Sequence, residues 1–486
     1  MLSSFDKILV KFSDILWGMP TILLLLTLGL ALTVATGFFQ FARFGYIWKN
    51  TFGKIVRKEA GEGDRGIVSA IEAVTIAIGN VVGMGNIAGV ATAIAVGGPG
   101  AVFWMWMIAL VGMMLKMTEV SLAVHYRRRD AHGNPFGGPT YYIKYGIGEN
   151  RGEFMRYLAK ALNFLFIFGL LTGSLIMSQC YNVSEAVSNT FHVNQLGVAV
   201  FYTIMVYIMI AGGLKSLSKF AMKMVPTMCT LYFLAGFGII LTNVNNLLPT
   251  ISLIFKSAFG GAAATGGFAG ATVMVAIQKG FARALFSNEA GQGTSPMIHA
   301  TATTNHPISQ GMYGVFEVFV DSIVICSLTA IAILITGEWS SGVRGITLSL
   351  NAFSSVYGFW GQAILAFTIF LFGVTTTSGC FTYQYTVLGY LFEKNIQIRD
   401  KILLAYRWFY PIPALGMVVY ALRKGLPPEI IWTFVDVATG MPTVVNVTAL
   451  IFLFPKFLEI LKDYKARYMG IGEIDPNFKP FVMEDK

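Results

Sequence analysis

The sequence predicts an all-α polytopic membrane protein of about eleven transmembrane helices, at roughly 20 apolar residues per crossing. Three observations carry this. Of 486 residues 55% are apolar and only 12% charged, and mean hydropathy is +0.64, whereas a soluble globular chain carries roughly 25% charged residues. The Lys and Arg behind the net charge of +10 fall in short clusters between apolar segments, the pattern of orientation signals in a cell membrane rather than of a nucleic-acid surface. Finally, two apolar segments are interrupted by glycine-rich polar stretches, which ordinary spans avoid because lipid cannot satisfy an opened backbone.

The first segment, about 17–39, is long enough to span and precedes no A-x-A-like site, so it reads as a crossing and not a cleaved leader. Arg43, Lys49, Lys54, Arg57, Lys58 and Arg65 follow it. The positive-inside rule assigns them to the cytoplasm and the N-terminus to the outside. The second segment, about 67–96, ends at the turn Gly97-Gly98-Pro99-Gly100. The third, about 101–125, runs into Arg127-Arg128-Arg129, inside again as the alternation requires. Spans four to six fall at about 156–187, 195–213 and 224–242, with Lys215, Lys219 and Lys223 inside. Asn243 to Gly270, with the pairs Gly260-Gly261 and Gly266-Gly267, reads as an external loop over the mouth of a site. Span seven, about 271–303, is followed by spans at about 311–336, 359–392, 402–421 and 428–454, with 338–357 as a half-embedded external helix. Lys394, Arg399 and Lys401 are inside, and so is the charged tail from Lys456.

The expected organisation is an extra N-terminal helix and linker (1–65), a first repeat (66–243), the external loop (244–270), a second repeat (271–455) and a cytoplasmic tail (456–486). Five crossings separate the starts of the two interrupted spans. The number is odd, so the halves have opposite topology around one midplane site.

The first interruption is Gly79-Asn80-Val81-Val82-Gly83-Met84-Gly85-Asn86. Glycines this dense weaken helical pairing, so the helix is expected to open and to turn freed carbonyls and N–H groups into ligands. Close helix packing of the GxxxG kind is the alternative for an isolated pair. Gly83 and Gly85 would present N–H groups to an anion at the start of a half-helix near Ile87, beside Asn80 and Met84. The carbonyls of Gly79, Val81 and Val82, with the Asn86 side-chain oxygen, would suit Na⁺. The second interruption is Ser287-Asn288-Glu289-Ala290-Gly291-Gln292-Gly293-Thr294-Ser295-Pro296; Ser287 and Asn288 add oxygens and Phe286 is placed as a lid. Thr375-Thr376-Thr377-Ser378 is a third polar cluster. Consecutive hydroxyls on a helix face different ways, so one or two of them reach a site, or all bond back to the preceding turn.

Ionisable groups inside spans are costly and face protein or water. Lys116, Glu119, Glu185, Lys279, Arg283, Glu289, Glu317, Asp321 and Asp436 are either buried ion pairs or functional; Asp321 is singled out as a cation ligand and Glu289 as a structural latch. Gln179 either bonds a polar substrate or joins two helices. Cys180, Cys229, Cys326 and Cys380 lie in apolar runs without paired or metal spacing. His299 and His306 lack ligand spacing, and no Walker-type loop or Gly-x-Ser-x-Gly elbow occurs, so neither an enzyme nor an ATP-driven pump is expected.

The run Gly85-Asn86-Ile87-Ala88-Gly89-Val90-Ala91-Thr92-Ala93-Ile94, continuing from Gly97 to Trp106, together with Phe286-Ser287-Asn288-Glu289-Ala290-Gly291-Gln292-Gly293, closely resembles the alanine or glycine:cation symporter family over nearly the whole chain. That resemblance implies the leucine-transporter (LeuT) fold, two inverted five-helix repeats with one added N-terminal helix. It implies a Na⁺ site at the carbonyls of Gly79 and Val82 and the hydroxyls of Thr375 and Thr376, and a second at Val81, Asn86, Ser287 and Asp321. The implied function is Na⁺-coupled import of alanine or glycine without an organic cofactor; glutamine as substrate, or H⁺ as coupling ion, is the nearer alternative. A cation channel or a non-transporting receptor is the alternative from another class.

Overall fold

The computed structural model describes residues 4–57, 66–130, 133–149, 151–174, 178–260, 273–425 and 428–482. Helices α1 (Ser4–Leu16) and α2 (Met19–Ala35) make the first crossing, α3 (Ala70–Val81) and α4 (Val90–Gly97) the second, and α5 (Gly100–His125) the third. There follow α6 (Gly152–Ser174), α7 (Gln179–Phe191), α8 (Gln195–Ala211), α9 (Gly213–Thr242) and α10 (Leu247–Gly260). The rest of the chain brings α11 (Val273–Asn288), α12 (Pro296–His299), α13 (Pro307–Val318), α14 (Ser327–Ile335), α15 (Ile346–Tyr357) and α16 (Phe359–Leu391), then α17 (Ile396–Phe409), α18 (Ile412–Lys424) and α19 (Pro428–Met469). Among the described residues the only sheet is a two-stranded ribbon, Arg128–Arg129 against Pro135–Phe136.

A helix that is apolar all round must be surrounded by protein or lipid, and burial separates the two cases. In α5, 89% of the most apolar window is covered by other helices, against 33% in α6, so α5 is the central pillar and α6 faces lipid. Both interrupted segments are broken. Helix α3 and the segment Gly85–Gly97, which contains α4, meet at 43°, and no helix covers Glu289 to Ser295 between α11 and α12. The two broken spans are stitched together at one end. Ile67 N–H donates to Thr301 O and Thr303 N–H to Val68 O, both at 2.9 Å, around a parallel bridge between Val68 and Ala302. Gly66 is required there, because a Cβ would collide with the Thr303 backbone.

Part of the expected external loop is helical. Residues 247–260 form α10, with Thr250, Ile254, Ser257 and Ala258 buried on one helical face, and its Phe255 packs edge-on to Phe103 of α5 at 5.4 Å. The remainder of that loop, residues 261–270, falls outside the described residues. The first part of the charged segment from Lys456 is helical too. Helix α19 runs through Pro455 to Met469 because Phe457, Ile460, Leu461 and Tyr464 continue its buried stripe.

Candidate functional site

The first break starts from a well-fixed helix. Ser69 and Glu72 form a reciprocal capping box at the head of α3, and Glu72 Oε1 also accepts from Ser218 Oγ on α9 at 2.8 Å. The helix ends at Val81, and Val82 is extended (φ −74°, ψ 101°). Gly83 N–H, which an unbroken helix would give to Gly79 O, instead donates to Asn86 Oδ1 at 2.6 Å. Gly79 O is left to accept from Thr376 Oγ1 of α16 at 3.3 Å. Helical turns resume as a π segment at Gly85–Gly89, earlier than the expected Ile87. The glycines set the spacing. A Cβ on Gly83 would meet Thr376 Oγ1 at 2.5 Å, and one on Gly85 would meet Ser287 Cα at 2.8 Å.

The second break is built from left-handed residues, Glu289 (φ 53°), Gly291 (φ 82°) and Gly293 (φ 81°). Polar side chains from other helices take up its main chain. Gly293 N–H donates to Glu119 Oε2 of α5 at 3.1 Å, and Asn446 Nδ2 of α19 donates to Gly291 O and to Glu119 Oε2 at 2.8 and 2.9 Å. Ser295 Oγ donates to Glu317 of α13. Lys116 Nζ lies 3.3 Å from Glu317 and 3.8 Å from Glu119, and Arg283 holds both oxygens of Asp436 at 2.6 Å. These expected ionisables are therefore ion pairs; those of Lys116 brace the break, and Arg283–Asp436 ties α11 to α19. Glu289 is the latch expected of it: Glu289 Oε2 accepts from Thr294 Oγ1 at 2.7 Å and from Tyr383 OH at 2.9 Å, and that phenol oxygen accepts from Asn80 Nδ2 of the first break.

Between the breaks lies a cleft with a volume of about 90 Å³ open to the centres of water-sized groups. Of the residues expected to contact substrate, Asn80, Gly83, Met84, Gly85, Gln179 and Phe286 line it, and so do Val81 and Thr376. Ser287 and Asn288 do not. Ser287 Oγ donates to both oxygens of Asp321 at 3.0 Å and Asn288 Nδ2 to Ser322 Oγ at 2.9 Å, so these two side chains turn away from the cleft. The anion-donor role expected of Gly83 is likewise corrected, since Asn86 has taken its N–H.

Of the first expected cation set, Thr376 reaches the broken backbone and Thr375 does not. Thr375 Oγ1 bonds back to Leu371 O at 3.1 Å and Phe372 O at 3.0 Å, the habit of a hydroxyl inside a membrane helix. Of the second set, Asn86, Ser287 and Asp321 converge at a π segment, Phe319–Cys326, and Val81 lies apart on the cleft wall. Asn86 also has a structural part. Its oxygen accepts from Gly83 N–H and its Nδ2 donates to Asp321 Oδ1 at 2.6 Å, so it bridges the break to the carboxylate and keeps one lone pair of that oxygen.

Sequence reasoning missed Gln292, Thr294, Cys380, Tyr383 and Gln384, all on the cleft wall. Thr376, Cys380, Tyr383 and Gln384 stand at i, i+4, i+7 and i+8, one face of α16, and helical spacing counted forward from Thr376 finds them. The wall from α6 and α19, with Leu170, Gly173, Val435 and Ala438, carries no comparable signal.

Two opposed broken helices around a small polar cleft, in an all-helical membrane-spanning chain, define a secondary transporter of the leucine-transporter fold. A crystal structure of MhsT in complex with L-phenylalanine aligns with 82% of this chain and 98% of its own at a TM-score of 0.53 and 14% identity. The chain belongs to the sodium:alanine symporter family, whose model matches residues 2–479. Its relatives include the probable sodium/glutamine symporter GlnT of Bacillus subtilis, 34% identical over 97% of this chain and 93% of the relative. The sodium/alanine symporter AgcS of Methanococcus maripaludis is 32% identical over 92% and 95%. The protein is accordingly a multi-pass, cation-coupled amino-acid symporter and not an enzyme.

Proposed function

We propose that the protein imports small neutral amino acids, alanine or glycine, with Na⁺ as the coupling ion. The observation that carries this is the position of the cleft, small and set between the two breaks with Met84, Gly85 and Phe286 on its wall. The substrate carboxylate sits at the new helical turn, against Met84 and Gly85, where the positive end of a half-helix favours an anion. Na⁺ sits at the Gly79 and Val82 carbonyls with the Thr376 hydroxyl; a second ion would use Asp321 and Ser287. The ion ties α16 to the first break and so organises the wall that holds the substrate, and each ligand raises the affinity of the other, typically by about 1–3 kcal/mol.

The halves 66–243 and 271–455 are read as the repeats whose relative rocking gives alternating access, with the N-terminus outside and the C-terminus in the cytoplasm. A second reading, glutamine as substrate, is favoured by the three amides Gln179, Gln292 and Gln384 on the cleft wall. Uptake of labelled alanine, glycine and glutamine into proteoliposomes, with Na⁺ or choline outside, separates the readings. The expected result is saturable alanine and glycine uptake that stops in choline. Ohmic current without saturation would indicate a channel, and absence of flux for every substrate would remove transport altogether.

A further inference from the structure

Between its first and second crossings the chain folds into three short helices, Phe39–Ala42, Phe44–Asn50 and Phe52–Arg57. Phe44, Trp48 and Phe52 recur at every fourth residue, and all three rings turn to the same neighbours. Ring centroids stand 5.2 Å apart for Phe44 and Phe319 of the π segment, and 5.8 and 5.9 Å for Trp48 and Phe52 against Phe316 of α13. Tyr46 OH lies 3.0 Å from Tyr464 OH of α19, which fixes another flank. The packing covers the rings only in part. Trp48 keeps 37% of its surface exposed and Phe52 38%, with Phe41 at 46% and Val56 at 63% beside them. Cations are interleaved with these apolar groups. Residues 36–57 hold Arg43, Lys49, Lys54 and Arg57 and no Asp or Glu. The linker up to residue 65 adds Lys58 and Arg65 with Glu59, Glu62 and Asp64, which leaves six cations to three carboxylates.

A segment that is basic and apolar at once fits neither water nor hydrocarbon. It fits the boundary between them, where aromatic rings sit at headgroup level and Lys and Arg reach lipid phosphate. Helix α8 shows the contrast. Its exposed Val200, Phe201, Ile204 and Ile208 stand on a helix with no charged residue, a face that asks only for acyl chains. We propose that Phe39–Arg57 is a binding surface for anionic phospholipid. The outer edges of Trp48 and Phe52 enter the headgroup boundary, and Arg43, Lys49 and Lys54 take phosphate groups around them. Arg43 and Lys49 are exposed and so positioned to do this. Phe319 opens the π segment that carries Asp321, so this surface rests directly on the element that holds a candidate cation ligand.

The test is quenching of Trp48 fluorescence in vesicles by brominated phosphatidylglycerol or brominated phosphatidylcholine. The chain has eight tryptophans, so the Trp48 signal is taken as the difference between each protein and its Trp48→Phe counterpart. The expected result is half-maximal quenching at an about fivefold lower fraction of the anionic lipid, the worth of one surface cation, and loss of most of that preference in Arg43→Gln/Lys49→Gln. Equal quenching by the two lipids in the wild type, quenching by neither, or a preference unchanged in the variant overturns the proposal. Should the variant fail to reconstitute, salt decides. The wild-type preference should disappear at about 1 M salt, where charges are screened beyond about 3 Å; a preference indifferent to salt overturns the proposal. Vesicles of symmetric composition and a readout without substrate make the outcome independent of the orientation of the chain and of which amino acid it carries.

Discussion

The two breaks look alike as glycine-rich interruptions, but their surroundings differ. The first is held by contact. Gly83 packs on Thr376 and Gly85 on Ser287, the freed Gly83 N–H goes to its own Asn86, and Gly79 O accepts from Thr376. The second is held by charge and hydrogen bonds from three other helices, through Glu119, Glu317 and Asn446. Main-chain groups of the second break are bonded by side chains of other helices, which supports the proposed reading of the second break as scaffold and the first as the grip. The link between them is the chain Asn80, Tyr383, Glu289, Thr294.

The sharpest way to break this comparison is bulk at the first break. Gly85→Leu places a side chain where Ser287 Cα stands 2.8 Å away. It is expected to abolish binding of radiolabelled alanine by protein that still elutes as a folded species; wild-type binding would remove the grip from this position. Next in size is the loss of a brace. Glu119→Ala leaves Lys116 and two amide donors facing an emptied site, and breaking a buried charge pair costs about 3–5 kcal/mol. A thermal unfolding series should show a large drop for Glu119→Ala, and a drop no greater than that of an exposed control such as Glu153→Ala would mean that the second break is not braced by charge.

Thr376→Ala should be intermediate. Loss of one oxygen ligand worth about 1–1.5 kcal/mol raises the Na⁺ concentration for half-maximal uptake by roughly tenfold, whereas Thr375→Ala should leave it at the wild-type value. The reverse ranking would exchange the two hydroxyls in the mechanism. The smallest effect is assigned to the link. Tyr383→Phe should cost about 1 kcal/mol and, in a double-mutant cycle with Asn80→Ala, show non-additivity in alanine affinity; strict additivity would mean that the two breaks are not joined through the phenol.

Much of this was legible in the chain. Glycine density marked both breaks, because an opened helix in a bilayer requires residues that tolerate it, and the apolar lengths set the number of crossings expected between them. What could not be read is pairing across the fold. Nothing in the sequence joins Glu119 to Gly293 and Asn446, which lie far along the chain from it, so the braces appeared only as unassigned ionisable residues. The Thr375-Thr376 register was equally hidden, since neighbouring hydroxyls differ by a rotation about the helix that only packing against α3 selects. Helix α10 was taken for a loop because the glycine pairs beyond it outweighed the short buried stripe of Thr250, Ile254, Ser257 and Ala258.

Main chain laid bare at the first break is proposed to bind both cation and cargo. Equilibrium binding of radiolabelled alanine to purified protein across a Na⁺ titration tests this most directly, run in parallel on wild type and Thr376→Ala. The account predicts that Na⁺ tightens alanine binding in the wild type, and that the variant needs roughly tenfold more Na⁺ to reach the same maximum. Superimposable Na⁺ curves for the two proteins, or alanine binding indifferent to Na⁺, would contradict it.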